Sequence, residues 1–309
     1  MDLSVVIPLF NEAPSLQELF EALRNSLERL GKSYEIIFVD DGSTDPSFSI
    51  LKSIHAAHPQ VSVIRLRKNF GKTAALFAGF AETHGEVVLT LDADLQDSPE
   101  EILPLLKRLE EGYDLVSGWK LDRKDGLVKR ISSRIFNRVV SFASGIHIHD
   151  FNSGLKAFRR EVLHELELYG EMHRFIPVLA GWRGFRVGEV AVKHFPRRHG
   201  KSKFGADRYL KGLFDFMAVM MLVKFIKRPL HLFGILGLSI GAIGLAINLH
   251  LTIGWFYGKW IGLRPLLILG VLLMIIGVQT IFFGLLAEMT NFLSNKTEAP
   301  SIAEVLRRN

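Results

Sequence analysis

Hydrophobic and polar residues follow two patterns over the first 120 residues of the chain, one typical of strands and one typical of helices. Short runs rich in β-branched residues, each bounded by polar residues, predict buried strands, and each run is followed by apolar residues at helical spacing. The predicted strands are Leu3 to Leu9, Tyr34 to Val39, Val61 to Leu66, Val87 to Leu91 and a core around Leu115 to Ser117. The predicted helices begin after Asn11 and then cover Ser47 to His58, Lys72 to Thr83 and Pro99 to Glu111.

This alternation predicts the fold class. A βαβαβα order favours an α/β fold with a doubly wound, mostly parallel sheet and right-handed crossovers. In such sheets ligands bind outside the carboxyl ends of the strands, and polar side chains follow the predicted strands there. These are Asn11, Glu12, Asp40, Asp41, Asp92, Asp94 and Lys120. Asn11 is also placed to cap the first helix.

A change in composition near Arg228 divides the chain. Pro229 to Tyr257 and Pro265 to Ala287 contain no Asp, Glu, Lys or Arg, and each exceeds the roughly 20 residues that span a bilayer as a helix. We therefore expect a transmembrane hairpin, with helices at about 230–256 and 265–287, inside a segment 229–309 that ends in a short tail. Before it we expect an α/β domain at 1–206 and an interfacial helix at 207–228, where charges interrupt an apolar stretch.

Charge and cysteine content restrict partners and location. The net charge of +6 fits anionic lipid or phosphates. No basic run interleaved with aromatic residues is typical of a nucleic-acid module, so no nucleic acid is expected as a partner. Three basic residues precede the first span and two lie between the spans, which favours a cytoplasmic α/β domain and C-terminus in the cytoplasmic membrane. The absence of cysteine and of a signal-peptide pattern fits that location.

Two carboxylates, Asp92 and Asp94, follow the strand-like run Glu86 to Leu91. Residues two apart on an extended chain point to the same side, and neighbouring carboxylates repel each other unless a cation lies between them. Mg²⁺ or Mn²⁺ would suit, since hard cations take oxygen ligands and commonly combine one or two carboxylates with substrate phosphates. The alternative is a pair of solvated aspartates in a turn.

Four segments together resemble the inverting, nucleotide-sugar-dependent glycosyltransferases of family 2, and more narrowly the dolichyl- and undecaprenyl-phosphate sugar synthases. They are Val6 to Glu12, Val39 to Ser43, Asn69 to Lys72 and Leu91 to Gln96. The resemblance implies a nucleotide-diphospho-sugar transferase fold of the GT-A type. It implies that Asp92, Asp94 and Gln96 hold the metal on the donor diphosphate. It also implies a nucleotide pocket lined by Pro8, Phe10, Glu12, Val39, Asp41 and Ala93.

Basic residues supply the remaining candidates. Lys129 to Phe142 has the pattern of an amphipathic helix with Arg130, Arg134 and Arg138 on one face, which is either a solvated stripe or a surface for anionic lipid. The resemblance assigns Arg134 to the acceptor phosphate. It places Lys120 where many relatives have arginine, and Lys keeps the charge without the bidentate fork.

Two further segments match the same family. Asp150 begins an Asp-x-x-Ser-Gly segment that is similar to one near the sugar and acceptor; alternatively it caps a turn. Arg197 and Lys203 match a loop that closes over the diphosphate in relatives.

The resemblance therefore implies a membrane-bound, metal-dependent glycosyltransferase in which Asp92, Asp94, Lys120, Arg134 and Asp150 act in catalysis. It would transfer a sugar from a UDP-glucose-like or GDP-mannose-like donor to polyprenyl phosphate, with membrane lipid as a further partner. A processive polysaccharide synthase and a non-catalytic membrane adaptor are the alternatives. Whether the protein is a homo-oligomer stays open.

Overall fold

A computed structural model describes residues 1–120, 127–166, 172–196, 229–258 and 265–294. The predicted interfacial helix at 207–228, and Arg197 and Lys203, lie outside these residues. The chain divides into two compact units, Met1–Phe216 and Met217–Asn309.

The described part of the first unit forms one seven-stranded sheet with strand order β3-β2-β1-β4-β6-β5-β7. Only β6 runs against the others, because it pairs antiparallel with both β4 and β5. The prediction of a mostly parallel, doubly wound sheet is therefore confirmed, while β6 and β7 were not predicted. The strands are β1 Leu3–Leu9, β2 Tyr34–Asp40, β3 Val61–Arg65, β4 Val87–Thr90, β5 Leu115–Lys120, β6 Lys156–Arg159 and β7 Val187–Val192.

Helices pack around this sheet. The first helix buries Leu16, Leu19, Phe20, Leu23 and Leu27, whose spacing of three and four residues forms one apolar stripe. All seven residues of β1 are buried, so this strand lies at the centre of the core. The helices of the first unit are α1 Ala13–Arg29, α2 Ser47–Ala57, α3 Lys72–Ala81, α4 Ile102–Glu110, α5 Leu127–Ser144, α6 Arg160–His164 and α7 Ile176–Trp182. Short 3-10 turns occur at Pro99–Glu101 and Met172–Arg174.

Asn11 does not cap α1, contrary to the prediction. Glu12 is the residue before the helix and makes no side-chain cap, whereas Asn11 has a φ of 55° and its Oδ1 accepts the Thr44 N–H at 2.8 Å. Asp45 completes the link, since its Oδ2 accepts the Ala13 N–H at 3.2 Å. Parallel pairing of β1 with β2 places their following loops side by side, so the amide found partners in the neighbouring loop.

The second unit contains the predicted hairpin of apolar helices, α8 Pro229–Phe256 and α9 Pro265–Ser294. Pro229–Phe256 and Pro265–Thr290 are long and apolar enough to cross a membrane. Glycines bring the helix backbones into contact: a Cβ at Gly237 would lie 2.5 Å from the Gly277 carbonyl oxygen, and one at Gly244 would lie 2.6 Å from the Gly270 carbonyl oxygen. Small residues permit this close approach in lipid, where packing drives helix association.

We expect Gly237→Ala to weaken the hairpin, because the added methyl group meets a backbone oxygen that cannot move aside. Gly234→Ala is the matched control on α8, since the closest atom to its Cβ would be Leu230 Cδ1 at 4.0 Å. Thermal unfolding of the full chain in detergent checks this: Gly237→Ala should lower the midpoint and Gly234→Ala should not. Equal midpoints for the two variants would contradict the proposed packing.

Candidate active site

The candidate site is built around Asp92, which follows β4 at the carboxyl edge of the sheet. Lys72, the first residue of α3, lies with its Nζ 2.5 Å from Asp92 Oδ1. On the other side the carboxylate packs against Gly154, where a Cβ would collide with it. Burial alone would raise the pKa of Asp92, but the charges of Lys72 and Lys120 outweigh it and hold the pKa below its usual range. Asp92 is therefore an ionised oxygen donor at neutral pH.

The loop that carries Asp94 and Gln96 is fixed by backbone contacts. The Ala93 carbonyl accepts a hydrogen bond from Ser15 Oγ at 2.7 Å, and Leu95 adopts a left-handed φ of 58°. The Gln96 N–H donates to Asp94 Oδ1 at 3.2 Å. Beyond the loop, the Phe195 N–H donates to the Gln96 carbonyl at 2.8 Å.

These residues suit a hard divalent cation through their chemistry. Asp92 and Asp94 offer carboxylate oxygens, and Gln96 uses its Nε2 to donate to the Phe195 carbonyl at 3.4 Å, which leaves its Oε1 as an acceptor. Within the described ranges no group of three or more His, Cys, Asp or Glu residues could hold a metal. A site of this kind would therefore need substrate phosphates to complete the coordination, as Mg²⁺ sites commonly do.

Asp97, which was not predicted, anchors the back of this loop. Its side chain is buried, and its Oδ1 lies 2.8 Å from Lys120 Nζ and 3.3 Å from His194 Nδ1. Its Oδ2 has no hydrogen-bond partner among the described residues. Burial opposes ionisation of both partners, but their mutual attraction lowers the pKa of Asp97 and raises the pKa of Lys120. Lys120 thus holds the loop in place through its ion pair with Asp97.

A second buried lysine, Lys156, begins β6. Its ammonium group donates to the Ser153 carbonyl. Burial, reinforced by the charge of Lys72, lowers the pKa of Lys156 to about 7 against the opposing effect of Asp150 and Asp92. Asp150 is buried too, and its Oδ1 accepts the Asn152 N–H at 3.1 Å, the contact of a turn-capping aspartate.

The 3-10 turn at Met172–Arg174 brings His173 and Arg174 close to the charges of Lys72 and Lys156, and both residues are buried. The His173 N–H donates to Thr73 Oγ1 at 3.4 Å, and the same hydroxyl lies 2.8 Å from His173 Nδ1. Burial together with the charges of Lys72 and Arg174 lowers the pKa of His173 well below its usual value. The imidazole is therefore neutral at neutral pH.

The residues predicted to line a nucleotide pocket lie at the ends of β1 and β2. Asp41 is buried and accepts the Phe70 N–H at 2.7 Å and the Gly71 N–H at 2.9 Å. Burial raises the pKa of Asp41 despite these bonds. Val39 is fully buried, and a Cβ at Gly79 would lie 3.0 Å from its Cγ2. Val39 is paired in the sheet with Pro8 on one side and Ile64 on the other, so its contact with a nucleotide stays a prediction.

Arg134 lies on α5, away from the buried cluster in sequence, and its side chain is exposed, as is that of Arg138. Phe142 on the same helix is 89% exposed. An exposed surface that combines arginine with a large apolar residue is typical of contact with anionic lipid.

The structure thus brings Asp92, Lys120 and Asp150 into one charged cluster. It adds Lys72, Asp97, Lys156, His173, Arg174 and His194, which the sequence analysis did not assign to the site. Lys72 is the last residue of the segment Asn69 to Lys72, and Asp97 directly follows Gln96. Their positions beside these segments were the signal by which the sequence could have assigned them to the site. Pro8, Phe10 and Glu12 come from β1 and the loop after it.

Comparisons with known proteins show the family. Residues 4–167 match the family described as Glycosyl transferase family 2. The chain is 39% identical over 295 residues to dodecaprenyl-phosphate galacturonate synthase of Rhizobium johnstonii, covering 94% of this chain and 87% of that protein. It is 36% identical over 288 residues to undecaprenyl-phosphate 4-deoxy-4-formamido-L-arabinose transferase of Pseudomonas aeruginosa, covering 92% and 84%.

Solved structures show the same fold. Glucosyl-3-phosphoglycerate synthase from Mycobacterium tuberculosis, in complex with Mn²⁺, UDP-glucose and phosphoglyceric acid, superposes with a TM-score of 0.54 at 22% identity. The superposition covers 71% of this chain and 78% of that one. At this identity the likeness concerns the fold alone, and it confirms the GT-A type.

We expect Lys156→Met to flatten the dependence of stability on pH. The pKa of Lys156 is about 7 in the folded chain, whereas an unfolded lysine titrates at about 10.4. Above about pH 7 the unfolded chain therefore binds more protons, and the free energy of unfolding rises with pH until both states are neutral. The penalty of burying the charge is complete below about pH 7.

Chemical denaturation between about pH 7 and about pH 9, without metal or nucleotide, measures this slope. Lys107→Met, on the exposed side of α4, serves as the control and should keep the wild-type slope. If Lys156→Met also keeps it, another group carries the pH dependence.

Proposed function

The chain belongs to glycosyl transferase family 2, and from that premise we propose that it transfers a sugar from a nucleotide donor to polyprenyl phosphate at a membrane surface. The observation that carries the proposal is the ionised Asp92 carboxylate, held between Lys72 and Gly154 at the edge where such sheets bind ligands. Relatives with 39% and 36% identity are named for the transfer of galacturonate and formamidoarabinose to polyprenyl phosphates.

The donor would bind across the carboxyl ends of β1, β2 and β4. Asp92, Asp94 and Gln96 would hold Mg²⁺ or Mn²⁺ against the diphosphate, and when bound the cation would neutralise charge on the departing nucleoside diphosphate. Lys120 and Asp97 would keep the loop in position through their ion pair, which is 2.8 Å long. The buried lysines add a positive field that favours phosphate.

The acceptor needs orientation more than activation. A phosphate monoester is already an anion at neutral pH, so no protein base is required, and cations that position it would supply the catalysis. Arg134 is our candidate for this phosphate. Attack opposite the leaving group would invert the anomeric centre, giving a β-linked product from an α-linked donor.

The hairpin of α8 and α9 suits an enzyme whose acceptor tail stays in the bilayer. We propose that the first unit faces the cytoplasm, where nucleotide sugars are made. A processive polysaccharide synthase is less favoured, because such relatives carry Gln-x-x-Arg-Trp and Gly181 to Gly184 offers no glutamine. A non-catalytic adaptor would have no need of the ionised carboxylates.

The donor is tested directly by incubating the full-length protein with polyprenyl phosphate and a panel of nucleotide sugars. The panel includes UDP-glucose, UDP-linked amino sugars and GDP-mannose, which the sequence leaves open, and donors of galacturonate and formamidoarabinose, which the names of the relatives add. Formation of a lipid-linked sugar from one donor identifies the substrate. No lipid-linked product from any donor would contradict the proposed reaction.

We expect Asp94→Asn to abolish transfer without unfolding the protein, because it removes one negative charge from the cation site and little volume. Glu100→Gln, an exposed carboxylate on the following 3-10 turn, is the control and should keep full activity. Transfer is measured as a function of Mn²⁺ and after addition of EDTA. Undiminished activity of Asp94→Asn, or of the wild type in excess EDTA, would exclude the metal site.

We expect Arg134→Ala to raise the acceptor KM by about ten- to a hundredfold and the donor KM far less, because charge-assisted hydrogen bonds contribute roughly 1.5–3 kcal/mol. Arg138→Ala is a matched control, since both side chains are exposed on α5. Steady-state kinetics with both substrates varied give the acceptor KM and the donor KM of each of the two variants. Equal effects of the two substitutions would mean that α5 attracts lipid through general charge.

A further inference from the structure

Phe70 presents an aromatic ring to solvent at the candidate site. Its side chain is 57% exposed, although it lies in the loop between β3 and α3, next to the buried Asp41. A single exposed apolar side chain is common on protein surfaces, so its exposure alone does not mark a binding surface. The surroundings of Phe70 distinguish such a surface from a poorly ordered loop.

The backbone under Phe70 is held firmly. Both oxygens of Asp41 accept from this loop, at 2.7 Å from the Phe70 N–H and 2.9 Å from the Gly71 N–H. Gly71 has a φ of 92°, which turns the chain directly into α3. On the other side, a Cβ at Gly42 would lie 2.5 Å from the Lys68 carbonyl carbon, so the loops after β2 and β3 touch through their backbones. The ring is therefore exposed on a rigid support.

The chemistry of this surface fits a flat ring. Phe70 offers no hydrogen bond, so a ligand would meet it through stacking. Lys68 Nζ lies 5.1 Å from the centroid of the Phe70 ring, within the range of a cation–π contact. Asp41, which fixes the loop, is at the same time a residue of the expected nucleotide pocket.

We propose that Phe70 is a stacking platform for the nucleobase of the donor. This inference rests on the proposed function, since it takes the donor to be a nucleotide. Stacking of a base on an aromatic side chain is sequence-tolerant, because every base has a π-face. Loss of the ring should therefore weaken nucleotide binding by about 5- to 150-fold, the loss in affinity that alanine substitution causes at such stacking sites.

The test compares Phe70→Ala with Phe77→Ala in the full-length protein in detergent with Mn²⁺. Phe77 is a matched control: its side chain is 53% exposed and it lies on the adjoining helix α3. Binding of UDP, GDP and inorganic diphosphate is measured by calorimetry. Phe70→Ala should lose affinity for the better-bound nucleotide and keep the affinity for diphosphate, whereas Phe77→Ala should match the wild type and Phe70→Trp should restore nucleotide binding.

Other outcomes overturn the inference. If nucleotide affinity of Phe70→Ala equals that of the wild type, the ring does not contact the base. If the affinity for diphosphate falls equally, the substitution has distorted the loop. A wild-type protein that binds neither UDP nor GDP would remove the proposed function together with this inference.

Discussion

The pairing of carboxylates with lysines at the carboxyl edge of the sheet is the constraint on which the site depends. Asp92 pairs with Lys72 at 2.5 Å, with both side chains about one-third exposed. Asp97 is buried, and an unpaired charge there would be costly, so it requires Lys120. Each pair also joins two elements: the first links the end of β4 to the start of α3, and the second links the loop after β4 to β5. The same two ion pairs therefore balance the charges of the site and fix its geometry. Substituting one member would therefore disturb both the charge balance and the connection between the two elements.

Much of the fold was predictable, because it follows from periodicity. β1 and the first helix have continuous or regularly spaced apolar residues, and both were found where the pattern placed them. β6 was missed for a physical reason: Lys156-Ala-Phe-Arg159 is four residues long, begins and ends with a charge, and becomes a strand only because β4 and β5 flank it. Asn11 illustrates the same limit, since its role as a cap was decided by a loop 33 residues away in sequence.

The sequence predicts those residues of the site that come directly after a predicted strand. Asp92 and Lys120 were expected together from their positions alone, and the structure places both charges in one cluster. Asp97, Lys156 and His173 were not, because their significance comes from burial and from partners that are distant in the chain. His173 meets Thr73 across 100 residues of sequence, a contact that no local pattern encodes. Whether Arg134 and Asp94 have the proposed roles depends on substrates rather than on packing.

The position of β6 has a consequence for how this protein is made. During synthesis the strands β1 to β4 leave the ribosome first and can pair, but the open edge of β4 has no neighbour until residues 156–159 emerge. An unpaired edge of β-branched residues invites association with other chains. If β1 to β4 pair as they are made, the edge of β4 would stay unpaired while some 65 further residues, from Thr90 to Lys156, are synthesised. Because β6 lies between β4 and β5 and runs against both, its insertion is what joins the first four strands to the rest of the sheet.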